Sequence, residues 1–242
     1  MVGYSVTSDV AVLQLSGASH LRAVALGNSS TVKLGQRVTA VGNAGGVGGR
    51  PSSVAGTVTG LARSIVASDG QGHSERLVGL IRINAALQRG DSGGPLLNRA
   101  GSVIGMDTAA SAGFEFQSAS EAFAIPINYA VNVAKQIEAG RASVTVHIGS
   151  TPMLGVSVSF TTSESMPGAL IAGVVAGSPA DQAGIVVGDT ITTLDGQPIA
   201  SYDALSTLLL RHNAGDTVTV GWVDQNGAAQ TANVQTAAGP PQ

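Results

Sequence analysis

The stretch Gly90-Asp91-Ser92-Gly93-Gly94-Pro95 decides how the rest of this chain is interpreted. Its glycines permit turns that a side chain would forbid, and they leave backbone N–H groups able to point at an oxyanion. A serine on such a loop becomes a strong nucleophile when a base, usually a histidine oriented by a carboxylate, stands beside it. The stretch therefore predicts a nucleophilic serine, and its partners must be sought elsewhere in the chain.

The same residues also satisfy the pattern Gly-x-Ser-x-Gly of α/β-hydrolases, in which the serine lies between a strand and a helix. Here Pro95-Leu96-Leu97-Asn98 follows, then Gly101 and a further strand-like run, so no helix is available. An esterase of that class is disfavoured. A glycine-rich hairpin that only happens to contain a serine is the non-catalytic alternative.

Composition limits the remaining classes of function. The chain has 242 residues, of which 43% are hydrophobic and only 3% aromatic, with 33 glycines. This favours short, tightly connected strands in one large or two modest domains. Charged residues are 11%, the net charge is −3 and no dense basic stretch occurs, so nucleic acid is not an expected partner. With no cysteine and four scattered histidines, neither a metal site nor any other cofactor is expected.

Targeting signals are not evident in the sequence. No run approaches the roughly 18 apolar residues of a membrane span. The start, Met1-Val2-Gly3-Tyr4-Ser5, has neither a charged region nor an apolar core, so no signal peptide is predicted.

The pattern of the first 140 residues predicts a β-barrel followed by a helix. Apolar runs separated by Gly- and Asn-rich turns recur at fairly regular spacing, as in a sandwich or closed barrel. The predicted strands are 10–15, 37–42, 53–61, 77–84, 95–98, 102–108 and 121–126. The segment 128–139 has apolar residues at helical spacing and ends at Gly140, which predicts an amphipathic helix packed on the barrel.

Beyond a connector at about 141–150, residues 151–236 form a second predicted domain of mixed α+β type. Its strands are predicted at 154–160, 169–175, 190–194, 217–223 and 229–234. A short helix is predicted after Ser178, and a longer one over 201–212 that Ser201 caps. The class is therefore mainly β, with a barrel followed by an α+β domain.

Taken together, these motifs resemble those of trypsin-like serine peptidases, specifically the HtrA/Deg branch with a C-terminal PDZ domain, and most of all its secreted actinobacterial members. The resemblance covers residues 4–236 nearly completely. It rests on the following motifs: Asp9-Val10-Ala11-Val12-Leu13, the stretch from Leu34-Gly35 through Val41-Gly42-Asn43, residues 90–98, Gly101-x-Val103-Ile104-Gly105-Met106-Asp107-Thr108, Phe123-Ala124-Ile125-Pro126 and the PDZ-like pattern of the second domain. It implies a chymotrypsin-like six-stranded barrel over residues 1–140, with the first barrel of the family mostly absent, and a PDZ domain over 151–236.

The resemblance also assigns catalytic roles. Ser92 corresponds to the nucleophile, and the backbone N–H groups of Gly90 and Ser92 to the oxyanion hole. Asp9 corresponds to the carboxylate that orients the histidine, although an Asp before an apolar run is by itself more often a solvated strand end. Ala86, six residues before the nucleophile, corresponds to the base of the substrate pocket and implies cleavage after small or medium apolar residues.

The general base is the missing element of this assignment. In the family the histidine precedes the aspartate by several tens of residues, whereas here eight residues precede Asp9 and none is a histidine. The four histidines present, His20, His73, His147 and His212, are expected to be structural or solvated. We therefore expect the chain to be N-terminally truncated and inactive as given.

The PDZ-like part implies a peptide-binding site. Leu154-Gly155-Val156 corresponds to the loop that captures a terminal carboxylate, with the peptide added as a strand. Ala204 and Leu208 on the longer helix are expected to contact an apolar C-terminal ligand.

The resemblance implies a serine endopeptidase that acts on unfolded or exposed polypeptides, with a PDZ domain that binds peptide C-termini or apolar segments. A secreted or cell-envelope location and a homo-oligomer, a trimer in the family, are implied as well. A non-catalytic peptide-binding pseudo-peptidase or holdase is the alternative function.

Overall fold

The computed structural model describes residues 1–68, 74–108, 121–159 and 167–239. The chain divides into two compact units, one of residues 5–141 and one of residues 142–242 together with Met1–Tyr4. The division at 141/142 falls at the start of the connector expected from the sequence, while the first four residues group with the C-terminal unit. Two features named above, His73 and the end of the predicted strand at Phe160, lie outside the described residues.

The first unit is built on a closed barrel of six strands. In chain order these are β3 (Arg37–Gly42), β4 (Ser52–Ser68), β5 (Ser74–Ile83), β6 (Pro95–Leu97), β7 (Val103–Thr108) and β8 (Ala122–Pro126). They close in the order β3-β4-β5-β8-β7-β6, with antiparallel neighbours throughout. The predicted mainly-β class and the six-stranded barrel are therefore confirmed.

Alternation of side chains along the strands makes the barrel core. Val38 and Ala40 on β3 point inward and are at most 4% exposed, and Leu96 on β6 is fully buried beside them. Helix α1 (Ile127–Glu138) buries Ile127, Ala130, Val133 and Ile137, which recur at the spacing of one helix face. It follows β8 directly, in agreement with the predicted amphipathic helix.

The segment before the barrel contributes two short strands, β1 (Gly3–Ser5) and β2 (Val10–Val12). The predicted strand over 10–15 is thus shorter, and Leu13 and Leu15 are exposed. A 3-10 turn over Val6–Ser8 separates the two strands, and Ser8 Oγ is 2.9 Å from the hydroxyl of Tyr129 on α1. This contact holds the segment that leads into Asp9 against the helix.

The second unit is an α+β domain. Its strands are β9 (His147–Ile148), β10 (Thr151–Met153), β11 (Val156–Val158), β12 (Ala169–Val174), β13 (Thr190–Leu194), β14 (Gln197–Pro198), β15 (Thr217–Val223), β16 (Ala229–Gln235) and β17 (Ala237–Gly239). Its helices are α2 (Pro179–Gln182) and α3 (Tyr202–Leu209). The main sheet has the order β11-β12-β13-β15-β16, with β14 beside β13, and β10 pairs with β17.

Helix α3 begins where the sequence places its cap. The Ser201 side chain accepts a hydrogen bond from the Ala204 N–H at 3.3 Å, which satisfies one of the unpaired donors of the first turn. Leu205 and Leu209 pack into the core with strand residues that include Ile191 and Val220. The helix ends at Leu209, three residues earlier than predicted.

Strand β1 joins the second unit by pairing with β9, through Gly3 opposite Ile148 and Tyr4 opposite His147. The Tyr4 ring is buried against the His147 ring, with centroids 5.2 Å apart, and its hydroxyl accepts a bond from Thr151 Oγ1 at 2.9 Å. Across the described residues, none of the helices is long and apolar enough to span a membrane.

Candidate active site

The loop that carries Ser92 is held to strand β7 by two short backbone hydrogen bonds. The Gly93 N–H donates to the Asp107 carbonyl and the Asp107 N–H donates to the Gly94 carbonyl, both at 2.7 Å. Inside the loop, the Gly94 N–H donates to the Asp91 carbonyl at 3.0 Å. Ser92, between these fixed points, is exposed. The loop is therefore a rigid support that presents one serine to solvent.

Two of the loop glycines are required by close backbone approaches. A Cβ on Gly90 would meet the carbonyl oxygen of Asn43, and a Cβ on Gly94 would meet that of Val41. Gly90 also has a φ of +97°, in the left-handed region that disfavours side chains. The loop thus packs backbone against backbone on the end of β3 and the turn that follows it.

Asp91 fixes the loop through hydrogen bonds of its side chain. Its side chain is 2% exposed and accepts bonds from Ser52 Oγ and from the Gln88 N–H, each at 2.9 Å. Gly42 leaves room for this carboxylate, because a Cβ there would collide with Asp91. The residue before the serine is thus fixed by side-chain as well as backbone bonds.

One of the two predicted oxyanion donors, the Gly90 N–H, differs from the neighbouring N–H groups in its hydrogen bonding. The backbone N–H groups of Asp91, Gly93 and Gly94 are used inside the fold. By contrast, within the part of the chain that is described, no protein acceptor takes the Gly90 N–H. A donor held on a rigid loop next to the nucleophile can stabilise an oxyanion without reorganisation.

Asp9 lies in the left-handed region at φ +51°, just after the 3-10 turn and before β2. Asp tolerates this conformation better than most residues. Its Oδ2 accepts a bond from Thr108 Oγ1 at 2.9 Å. Although part of the residue is exposed, desolvation by the surrounding protein raises the pKa of the Asp9 carboxyl, and the Thr108 bond lowers it in part.

The sequence did not single out Thr108 as a partner of Asp9, nor Asp107 as the support of the serine loop. These two neighbours at the end of β7 reach both predicted catalytic residues: the Asp107 backbone holds the Ser92 loop, and the Thr108 side chain holds Asp9. The structure therefore gathers Ser92 and Asp9, which are 83 positions apart in the chain, around one strand end.

Asp107 itself is an unusual group. Its side chain is 1% exposed, and within the described residues neither carboxyl oxygen has a hydrogen-bond partner. Burial, together with the nearby Asp91 charge, raises the pKa of the Asp107 carboxyl to about 8. At neutral pH this carboxyl is therefore mainly protonated, since its charged form has nothing to stabilise it.

The other predicted residues of this unit are placed as follows. Ala86 is exposed between the buried Ala85 and Leu87, and is thus accessible to a substrate. His20 is exposed. In the other unit, His147 has its two ring nitrogens near the carbonyls of Ser150 and Leu210, and His212 contacts Asp195 at 3.0 Å.

The second unit contains a groove of about 430 Å³ between strand β11 and helix α3. The wall formed by the strand includes Leu154, Gly155 and Val156, which are the predicted carboxylate-binding residues. The helix contributes Tyr202, Leu205, Ser206 and Leu209, and no charged residue lines the groove. A groove without charged lining beside a short strand suits an extended peptide.

The loop before β11 has a fixed backbone. The Leu154 carbonyl accepts from the Ala180 N–H at 2.8 Å, and the Gly155 carbonyl from the Val175 N–H at 2.9 Å. Gly155 has a φ of +81°, and a Cβ there would collide with Ser178. Both carbonyls of the loop are thus bonded to the domain, whereas within the described residues no backbone acceptor takes the N–H groups of Leu154 and Gly155.

The helix residues of the predicted peptide site need correction. Ala204 and Leu208 do not line the groove, and Leu208 instead packs partly buried against the domain core. Helical spacing explains the difference, because residues three or four positions apart share one face of a helix. The face that contains Leu205 and Leu209 also contains Tyr202 and Ser206. Ala204 and Leu208 each precede a residue of that face by one position and therefore point in another direction around the helix axis. The start of α3 at Tyr202 fixes this phase.

We expect Asp107→Asn to change how stability depends on pH. A carboxyl whose folded pKa is raised destabilises the native state once the unfolded chain ionises, so stability falls as pH rises from about 4 to about 8. Asparagine keeps the shape and cannot ionise. The free energy of unfolding of Asp107→Asn, relative to that of the parent, should therefore increase with pH by up to roughly 1.4 kcal/mol per pH unit.

Urea unfolding of both proteins at about pH 5 and about pH 8 measures this difference. Asp216→Asn, at an exposed position of the other unit, is the control and should show no such growth. An Asp107→Asn advantage that is equal at the two pH values would contradict the assignment.

A second prediction compares adjacent glycines. Gly94→Ala should lower the free energy of unfolding by about 1–3 kcal/mol because its Cβ meets the Val41 carbonyl oxygen and the loop must move. A Cβ at position 93 has no neighbouring atom to collide with. Gly93→Ala should therefore lower the free energy of unfolding only through the positive φ of this residue, by about 1–2 kcal/mol.

Hydrogen exchange separates the two variants. Only Gly94→Ala should speed exchange at the Asp107 N–H, which donates to the Gly94 carbonyl. Equal protection of this amide in both variants would argue against the proposed backbone contact.

Comparisons with known proteins agree with this geometry. A trypsin-like peptidase domain model matches residues 1–106, and a PDZ domain model matches residues 152–236. Serine protease PepD of Mycobacterium tuberculosis is 34% identical over 241 residues, which is 97% of this chain and 50% of that protein. Periplasmic serine endoprotease DegP of Escherichia coli is 33% identical over 227 residues, 91% of this chain and 45% of that protein.

The chain thus spans about half the length of the curated relatives it matches. Among solved structures, the HtrA-type protease AlgW with decapeptide aligns with 93% of this chain and 67% of its own, at 26% identity and a TM-score of 0.48. The chain contains a trypsin-like peptidase domain and a PDZ domain, and it is homologous to the HtrA, DegP and PepD serine proteases.

Proposed function

We propose that this chain carries most of the catalytic machinery of an HtrA-type serine endopeptidase that cleaves unfolded or exposed polypeptides. The observation that carries the proposal is the end of β7, where the Asp107 backbone holds the Ser92 loop and the Thr108 hydroxyl holds Asp9. A nucleophilic serine and a carboxylate that orients the histidine are two of the three members of a catalytic triad.

In this mechanism Ser92 Oγ attacks the peptide carbonyl. The Gly90 and Ser92 N–H groups receive the developing oxyanion, and one such donor is worth about 3–4 kcal/mol in comparable sites. Asp9, held by Thr108, orients the histidine that takes the serine proton. Ala86, exposed and uncharged, favours small or medium apolar side chains before the cleaved bond.

The histidine is the part that residues 1–242 do not supply. None of the eight residues before Asp9 is a histidine. We propose that these residues on their own are an inactive part of the enzyme, and that activity requires a preceding segment with the base. In comparable triads the loss of one member leaves only a residual acceleration of roughly 10³–10⁴ over water.

The PDZ domain is proposed to bind C-terminal or apolar peptide segments. The groove between β11 and α3 has apolar walls, and the Leu154–Gly155 loop lies at its edge with both carbonyls bonded inward. A peptide added to β11 would gain backbone hydrogen bonds, and its side chains would enter the groove.

We further propose a secreted or cell-envelope location, because the relative DegP is named as a periplasmic protease. Assembly into a homo-oligomer, a trimer in the family, is part of the same proposal. The alternative function is a peptide-binding pseudo-peptidase or holdase, which the well-formed groove would serve equally well without catalysis.

Cleavage of unfolded casein tests the catalytic proposal. Residues 1–242 alone should show no turnover and no labelling of Ser92 by a fluorophosphonate, because no base activates the serine. A longer form that includes an upstream histidine should cleave casein, and Ser92→Ala should abolish that cleavage. Casein turnover by residues 1–242 that Ser92→Ala removes would refute the claim of inactivity, and an inert longer form would favour the holdase.

Fluorescence polarisation with a labelled peptide that ends in apolar residues and a free carboxylate tests the PDZ proposal. Amidation of the peptide terminus should weaken binding by about tenfold or more, because a charged hydrogen-bond acceptor is lost. Tyr202→Ala, in the groove, should also weaken binding, whereas Thr207→Ala, exposed on the same helix, should not. Equal binding of the acid and the amide would contradict the assigned carboxylate loop.

A further inference from the structure

The outer face of the barrel carries a second concavity, which the proposed catalysis does not use. It has a volume of about 450 Å³ and lies across β3, β4 and the turn after β6. We call it the Arg37–Arg99 pocket; its lining includes Arg37, Thr39, Thr57, Asn84, Asn98 and Arg99. None of the residues assigned to catalysis belongs to it.

Strand register explains why these residues share one face. Arg37 lies opposite Thr57 on β4, and Thr39 lies opposite both Ala55 on β4 and Leu97 on β6. The intervening Val38 has its side chain in the barrel core. Small side chains on β3 and β4 thus line this face, together with Arg37 on β3 and Arg99 in the turn after β6.

The two arginines have no acidic counterpart. Among the described residues, neither Arg37 nor Arg99 has a carboxylate within ion-pair distance, and no Asp or Glu lines the pocket. Both side chains are exposed. The pocket therefore presents two unneutralised guanidinium groups, which are suited to bidentate binding of carboxylates.

The two asparagines add donors and no acceptors. Asn84 Oδ1 accepts from the Thr57 N–H at 2.6 Å and from the Thr57 hydroxyl at 3.0 Å. Asn98 Oδ1 accepts from the N–H groups of Ala100 and Ser102 at 2.9 and 3.0 Å. With both oxygens committed to these bonds, the Nδ2 groups remain as the polar ends of the two side chains that a ligand can meet.

The position of Arg99 is fixed by its turn. Besides the two bonds to Asn98 Oδ1, the Gly101 N–H donates to the Asn98 carbonyl at 3.0 Å. Arg37 stands on a barrel strand that is paired on both sides. The cationic groups are therefore carried on preorganised backbone, which lowers the entropic cost of binding.

We propose that the Arg37–Arg99 pocket is an exosite that binds the carboxylate side chains of an acidic polypeptide segment. Two guanidinium groups and two amide donors favour an anion, and the adjoining small residues leave room for an extended chain with acidic side chains. The choice of a polypeptide over a small anion rests on the proposed function. Binding itself needs neither Ser92 nor the histidine, so its failure is distinct from a failure of catalysis.

Titration of the chain with fluorescein-labelled hexaglutamate tests the proposal, with hexaglutamine as the neutral probe. Hexaglutamate should bind and hexaglutamine should not, and Arg37→Gln/Arg99→Gln should weaken binding by about tenfold or more. The matched control Arg22→Gln/Arg50→Gln removes the same charge from exposed positions outside the pocket and should change the affinity by less than about twofold.

A single-atom variant tests the donor arrangement. Asn98→Asp keeps an oxygen for the Ala100 and Ser102 N–H groups but replaces the amide donor by a negative oxygen. It should leave the melting temperature unchanged and reduce hexaglutamate binding by about tenfold.

Three outcomes would overturn the proposal. They are equal binding of the two peptides, equal losses in the pocket and control variants, and displacement of hexaglutamate by inorganic phosphate at concentrations matched in anionic groups. The last result would identify a small-anion site rather than a polypeptide exosite.

Discussion

The serine loop depends on one pair of contacts, the two 2.7 Å backbone bonds that join Gly93 and Gly94 to Asp107. These bonds hold the loop on β7. In this position the loop backbone also lies so close to the end of β3 that no side chain fits between them. Gly90 and Gly94 meet that requirement next to the carbonyl oxygens of Asn43 and Val41. The barrel thus acts as a rigid frame, and the loop conformation follows from how closely its backbone can pack.

The same strand end sets the electrostatics of the site. Asp91 and Asp107 are both buried, but their environments differ. Asp91 accepts bonds from Ser52 and the Gln88 N–H, whereas the Asp107 carboxyl has no partner among the described residues and its pKa rises to about 8. The fold can bury the Asp91 and Asp107 carboxyls near each other because the Asp107 carboxyl is mainly neutral. This arrangement avoids two neighbouring buried negative charges beside the serine loop.

Charge also distinguishes the two parts of the chain. Residues 5–141 contain eleven Lys and Arg against eight Asp and Glu, whereas residues 142–242 contain one Arg against seven Asp and Glu. The PDZ groove has no charged lining, and the Arg37–Arg99 pocket has no acidic lining. The proposed sites would therefore select different parts of a polypeptide, one an apolar end and the other an acidic stretch.

Much of this was determined by the sequence alone, because turn residues and apolar periodicity act locally. The serine loop, the barrel strands and the capped helix α3 follow from such local patterns. The contacts of the catalytic residues do not follow from local patterns. Thr108 contacts Asp9 only in the folded barrel, and the Asp107 carboxyl loses its contact with water only when the fold buries it. The phase of α3 likewise decided that Tyr202 and Ser206, rather than Ala204 and Leu208, line the groove. Long-range packing fixed these features, since no local pattern records which distant atoms will meet.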